Sequence, residues 1–145
     1  MKGIFWNSRG IADLAKRRFL AEASVEHKLD FMALLEMGRD NYTSQFLNTI
    51  SGGVEFDWHC LPTRGQFGGI LLGVKCETLE VLNVVYGDFA VKFRVRSKVD
   101  GFRWALVTVY GVAQPELKPD FLADLVRICG AERLPILVGG DFIII

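Results

Sequence analysis

The chain has 145 residues, half of them hydrophobic, and seventeen basic residues balance seventeen acidic ones. That length suits one domain, residues 1–145, with a sizeable core, and the zero formal charge excludes a bulk field that would draw the molecule onto nucleic acid or an anionic membrane. Cys60, Cys76 and Cys129 are too few and too scattered for a disulfide framework or a paired zinc site. No apolar run approaches a membrane span, and Met1 leads directly into strand-like sequence without a signal-peptide core, so we expect a soluble intracellular protein, with a nuclear location left open.

Gly3 to Trp6 is β-branched and aromatic and reads as a strand that ends at Asn7-Ser8, with Arg9-Gly10 turning the chain toward a helix. From Ile11 to Ala23 the residues Ile11, Ala12, Ala15, Phe19 and Ala23 share one helical face, Asp13 and Arg17 point away, and Arg18 lies at the border. Leu29 to Leu35 is a second apolar strand that stops at Glu36. Strand, helix, strand over so short a distance predicts a parallel βαβ unit. Asp40 or Asn41 is expected to cap a short helix that turns Phe46, Leu47 and Ile50 inward and ends at Ser51-Gly52-Gly53.

Glu55 to Cys60 follows, then a Gly-rich polar stretch, Pro62 to Gly69, that reads as an exposed loop. Ile70 to Val74 is a strand, and Leu79 to Tyr86 alternates less cleanly but still reads as one. Phe89, Val91, Phe93 and Val95 alternate with Lys92, Arg94 and Arg96, the period of a strand with one wet face, and Asp100-Gly101 suggests a two-residue primed turn into the strand Phe102 to Tyr110. Pro115 and Pro119 flank the start of a helix with Phe121, Leu122, Leu125, Ile128 and Cys129 inward and Gly130 at its end. Pro135 to Val138 is short and apolar enough for a strand buried on both faces, and Gly139-Gly140 lets the chain leave it before Asp141. Parallel pairing at the start and a hairpin in the middle predict a mixed α/β architecture of two packed sheets with outer helices.

Polar residues end these strands. Asn7 and Glu36 directly follow apolar strands, Tyr110 closes the hairpin strand, and Asp141 follows the last. If those ends are neighbours, two carboxylates with an amide and a phenol offer oxygen ligands for a hard divalent cation, for which magnesium is the natural choice. Phosphodiester hydrolysis is the chemistry such a set supports. The basic strip Lys92, Arg94, Arg96 and Lys98 and the cluster Lys16, Arg17 and Arg18 are read as solvated faces rather than phosphate contacts, and Trp58 and Trp104 as core. His27 is expected to face water, and His59 to be a partly buried structural residue.

Five stretches taken together carry a resemblance: Trp6-Asn7-Ser8-Arg9-Gly10, Asp30 to Glu36, Gly68 to Leu72, Val109-Tyr110-Gly111 and Gly140-Asp141-Phe142. In that order they resemble the endonuclease/exonuclease/phosphatase superfamily, and more narrowly the apurinic-endonuclease-like domain of plant LINE-type retrotransposons. The resemblance implies a four-layer α/β sandwich, here truncated before its C-terminal strands, and magnesium-dependent cleavage of DNA. It matches Glu36 to a metal-binding glutamate, Asn7 to the amide that supports the metal and phosphate site, Tyr110 to a phosphate-contacting tyrosine and Asp141 to the catalytic aspartate. It also implies DNA as partner and a reverse-transcriptase region in a full-length parent.

Two departures from the family pattern matter. The last motif of the family is Gly-Asp-Phe-Asn, and Ile143 stands at the asparagine position, where no side chain can donate to a phosphate. The family continues to a Ser-Asp-His motif, and this sequence stops at Ile145. Two readings follow. One is a hydrolase domain that is inactive alone; the other is a truncated retrotransposon relic, at most a binding module. Under either, an open sheet edge and an uncovered apolar face are expected to cause self-association.

Overall fold

The computed structural model describes residues 1–10, 13–36, 41–62, 69–111 and 114–142. Its elements run β1 (Gly3–Asn7), α1 (Leu14–Glu26), β2 (Phe31–Leu35), α2 (Ser44–Ile50), β3 (Phe56–Leu61), β4 (Ile70–Lys75), β5 (Leu79–Tyr86), β6 (Ala90–Ser97), β7 (Arg103–Tyr110), α3 (Lys118–Gly130) and β8 (Ile136–Asp141). They form two four-stranded mixed sheets, ordered β1-β2-β4-β3 and β5-β6-β7-β8. The β1–β2 and β7–β8 pairs are parallel and the other ladders antiparallel. No helix among the described residues is long and apolar enough to cross a membrane.

The sheets pack face to face on a core that includes Phe31, Leu35, Leu72, Val91, Phe93 and Leu106. On the outer face of the first sheet, α1 and α2 bury Leu20, Phe46 and Ile50 against Met32, Leu34 and Leu71. On the outer face of the second, α3 buries Phe121 and Ile128 against Phe89, Val107 and Val109. Four layers result, and each fully buried Phe or Leu contributes about 1.5–3 kcal/mol. All five residues of β2 are buried, because the strand is interior to its sheet and covered on both sides.

Several local expectations need correction. Asp13 caps α1 through Ala15 N at 2.8 Å, and the helix buries Leu20 and Ser24, whereas Phe19 is 55% exposed with its ring edge-on to Trp6. The inward face is thus turned by about one position from the expected set, of which Ile11 and Ala12 lie outside the described residues. Arg17 does not point away: its guanidinium lies 5.0 Å from the Phe46 ring centroid, joining α1 to α2. Thr43, rather than Asn41, caps α2 by accepting from Phe46 N, and Asp40 lies outside the described residues. Glu55 to Cys60 largely becomes β3, paired with β4. Most of the predicted loop, residues 63–68, lies outside the described residues. The untidy alternation of β5 has a local cause, a bulge between Val81 and Asn83.

The hairpin also differs in detail. Ser97 N donates to Phe102 O and Gly101 N to Ser97 O, so the turn closed by the Ser97–Phe102 pair holds four residues, 98–101, not two. The wet face of β6 is covered only in part, since the Arg94 and Arg96 side chains stay 34% and 42% exposed. Lys92 is 3% exposed, and its ammonium pairs with Glu132 at 2.8 Å, where Arg94 also reaches the carboxylate at 2.9 Å. Arg96 pairs with Glu80, and Lys98 remains exposed while donating to Cys76 O. On α3, Asp124 is buried and Leu122 is 43% exposed, because Asp124 accepts from Phe89 N at 2.9 Å. Strand β8 is not buried on both faces. Among the described residues it pairs only with β7, and it leaves Leu137 and Val138 exposed and continues through Gly139-Gly140 to Asp141.

Candidate active site

Two parallel strand pairs, one in each sheet, end at the same edge of the sandwich. In β1–β2 the register partners are Asn7 and Leu35, so Asn7 and the next residue, Glu36, leave the first sheet side by side. In β7–β8, Tyr110 and Asp141 are register partners at the last rung. The two pairs approach each other where β1 crosses β8, and the closeness there depends on Gly139. A Cβ on that residue would lie 2.3 Å from the Phe5 ring.

The structure brings Asn7, Glu36, Tyr110 and Asp141 together through two bonds that cross between the sheets. Asn7 Nδ2 donates to Asp141 Oδ2 at 3.1 Å, and the Tyr110 hydroxyl donates to Glu36 Oε1 at 2.7 Å. All four side chains are half-buried. Burial, then the hydrogen bond to Glu36, then the charges of Glu36 and Asp141 push the Tyr110 hydroxyl up to about 12. It therefore stays protonated, a neutral donor held between two acids.

Glu36 itself is left-handed, with φ of +52°, and its carbonyl accepts from Gly10 N at 2.6 Å. Backbone strain of this kind persists only where the surroundings impose it. The loop after β1 supplies that constraint. Ser8 N donates to Leu35 O at 3.2 Å, and Arg9 N donates to Asn7 Oδ1 at 3.2 Å. Lys16, expected on the solvated side of α1, is half-buried and donates to Ser8 O at 2.5 Å and Gly10 O at 3.4 Å. A lysine in the first turn of a helix opposes the helix dipole, and that mismatch is the sequence signal that could have drawn attention to it.

Whether the donor set suits magnesium follows from its chemistry. The asparagine engages Asp141 Oδ2 and the tyrosine Glu36 Oε1. Among the described residues, no group of three or more His, Cys, Asp or Glu side chains is poised as a metal cage. Magnesium commonly takes one or two carboxylates and completes its shell with water and phosphate oxygens, so an all-oxygen pair of acids fits it and a zinc-type set is not present among the described residues. The other ionisable candidates lie elsewhere. His27 caps the far end of α1, and His59 sits on β3 with Asp57 at 3.2 Å. Ile143 lies outside the described residues. A cleft of about 510 Å³ opens at the opposite end of the sheets, lined by Phe102, Trp104 and Leu137 among others. It is mostly apolar and remote from the four polar strand ends.

No protein-family model and no curated protein sequence matches the chain. Solved structures do match it. The human Nocturnin catalytic domain superposes with a TM-score of 0.65 at 18% identity, covering 97% of this chain and 63% of that one. An endonuclease/exonuclease/phosphatase family protein from Bacteroides thetaiotaomicron superposes with a TM-score of 0.66 at 11% identity, covering 97% and 62%. D. rerio TDP2 complexed with single strand DNA product gives a TM-score of 0.64 at 15% identity, covering 96% and 59%. The chain thus has the endonuclease/exonuclease/phosphatase fold and spans roughly three fifths of the length of these proteins.

Proposed function

We propose that the four strand ends form part of the site of a magnesium-dependent phosphodiester hydrolase acting on DNA, and that this chain alone turns over poorly. The observation that carries the reading is the reciprocal cross-sheet pairing of Asn7 with Asp141 and of Tyr110 with Glu36. Glu36 and Asn7 are the residues that would hold magnesium. When bound, the cation supplies Lewis-acid polarisation of a phosphoryl oxygen. Asp141 is the carboxylate that would accept a proton from an attacking water. Asn7 keeps that carboxylate oriented, and Tyr110 offers a hydroxyl that is still protonated at neutral pH. DNA is favoured by the five stretches that resemble LINE-type endonucleases, with a reverse-transcriptase region in a parent polypeptide, and by the DNA product bound in TDP2.

Poor turnover by the chain alone is supported by Ile143, whose side chain cannot donate a hydrogen bond, and by the positions of His27 and His59, both away from the cluster. The same two observations favour the second reading, a binding module without catalysis. Nicking of supercoiled plasmid with magnesium separates them. Weak nicking that Glu36→Ala abolishes and Ile143→Asn raises by about ten-fold or more, on the scale of one restored donor to developing charge, supports the hydrolase. Magnesium-independent DNA retention by wild type and Glu36→Ala alike, with no nicking in any variant, would leave only the binding module.

A further inference from the structure

The loop that leaves β1 is built around a cation placed where helix energetics disfavour it. Lys16 is the third residue of α1, close to the positive end of the helix dipole. The side chain is half-buried, and its ammonium donates to the carbonyls of Ser8 and Gly10 at 2.5 and 3.4 Å. Those two carbonyls flank Arg9, which has φ of +50°, a left-handed conformation uncommon outside glycine. In that conformation Arg9 N donates to Asn7 Oδ1 at 3.2 Å. A backbone N–H can only donate, so this bond decides which end of the Asn7 amide carries the oxygen. The other end, Nδ2, is thereby turned to Asp141, to which it donates at 3.1 Å.

We infer that Lys16 is a positioning residue of the site. By clasping the Ser8 and Gly10 carbonyls it holds Arg9 in the left-handed turn whose N–H orients the Asn7 amide toward Asp141. The same clasp steadies Gly10, whose N–H ties the loop to the strained Glu36 carbonyl at 2.6 Å. Among the described residues Lys16 donates to the Ser8 and Gly10 carbonyls and not to the four strand-end side chains, so it acts through this relay. Anchoring the helix does not require it, because Asp13 already caps α1 through Ala15 N. The inference rests on reading Asn7 and Asp141 as hydrolase residues, and it names the element that gives them their geometry.

The test uses the ¹⁵N-labelled full chain without added metal. The Asn7 side-chain NH₂ signals are assigned by their loss in Asn7→Ala. In Lys16→Met, solvent exchange of these protons is expected to rise by about ten-fold or more, the signature of a local opening, with strand amides far from the loop unchanged. Lys16→Arg, which can donate to both carbonyls, is expected to restore slow exchange. Wild-type exchange in Lys16→Met overturns the inference, as does failure of Lys16→Arg to rescue. If Lys16→Met does not fold, Lys16→Ala, which also lacks the donor, is measured instead, and unchanged exchange there overturns the inference equally. Because the readout needs neither magnesium nor turnover, coupled exchange in a chain that never nicks DNA sinks the hydrolase reading alone. Nicking that survives with uncoupled exchange sinks this inference alone.

Discussion

Asn7 and Asp141 are separated by 134 positions and meet at 3.1 Å, the amide donating from the first sheet to a carboxylate of the second. Tyr110 donates in the other direction, to Glu36 at 2.7 Å. Each sheet thus contributes one donor and one acid, and the site depends on how far apart the sheets stand at β1 and β8.

The tyrosine bond has a spectroscopic consequence. Tyr110 is held up to about 12, by burial first and then by Glu36 and Asp141, whereas an exposed tyrosine ionises near pH 10. In a pH titration followed by tyrosinate absorbance, Tyr110 is expected to titrate late, and Glu36→Gln is expected to bring it down. Because the folded value is raised, the associated stability is fully present below about pH 10 and is lost as pH rises toward 12. Tyr110→Phe removes the late step and costs about 1 kcal/mol in urea denaturation.

Sheet spacing can be perturbed directly. A Cβ at Gly139 would lie 2.3 Å from the Phe5 ring, and one at Gly140, where φ is +126°, would lie 2.3 Å from Val109 O. Gly139→Ala should lower stability by about 1–3 kcal/mol, as overpacking does. Gly140→Ala should cost more, because backbone yields less readily than a ring. Urea midpoints for the two variants check both the sign and the order, and a Gly139→Ala midpoint equal to wild type would contradict the close packing of β1 on β8.

Acid sensitivity should trace to the far side of the second sheet. Glu132 is held down to about 2 by its hydrogen bond from Lys92, against burial, with further help from Leu134 N and Arg94. Its folded value lies below the ordinary 4.5, so the stability it contributes is present above that pH and is lost as pH falls toward 2. Glu132→Ala strands the buried Lys92 ammonium and should cost about 3 kcal/mol at neutral pH. The variant should also show a flatter loss of thermal stability between pH 5 and pH 2.

The free side of β8 makes a prediction about association. Among the described residues the strand pairs only with β7, and it exposes Leu137 and Val138 at 43% and 36%, with Phe142 just beyond at 44%. An apolar edge with unpaired backbone groups recruits another strand. Sedimentation velocity should show species larger than the monomer, and Val138→Lys should shift the distribution toward the monomer. A compact monomer at all concentrations, without binding of a hydrophobic dye, would contradict this.

The sequence by itself determined the alternating strands of the hairpin, the βαβ opening and the polar residues at strand ends, because each is a local period or a boundary. Tertiary structure decided what the second face of each element meets. Lys92 and Arg94 read as a wet face because alternation shows only that one side is polar; Glu132, nearly forty positions later, covers it in part. Strand β8 read as doubly buried because an apolar run carries no mark of being an edge. Lys16 read as solvated because its acceptors are backbone carbonyls, which leave no trace in composition. The pairing of Asn7 with Asp141 lies furthest from any local signal. It arises only when two sheets, each closed by its own parallel pair, pack face to face and bring the ends of strands from opposite ends of the chain within hydrogen-bonding distance.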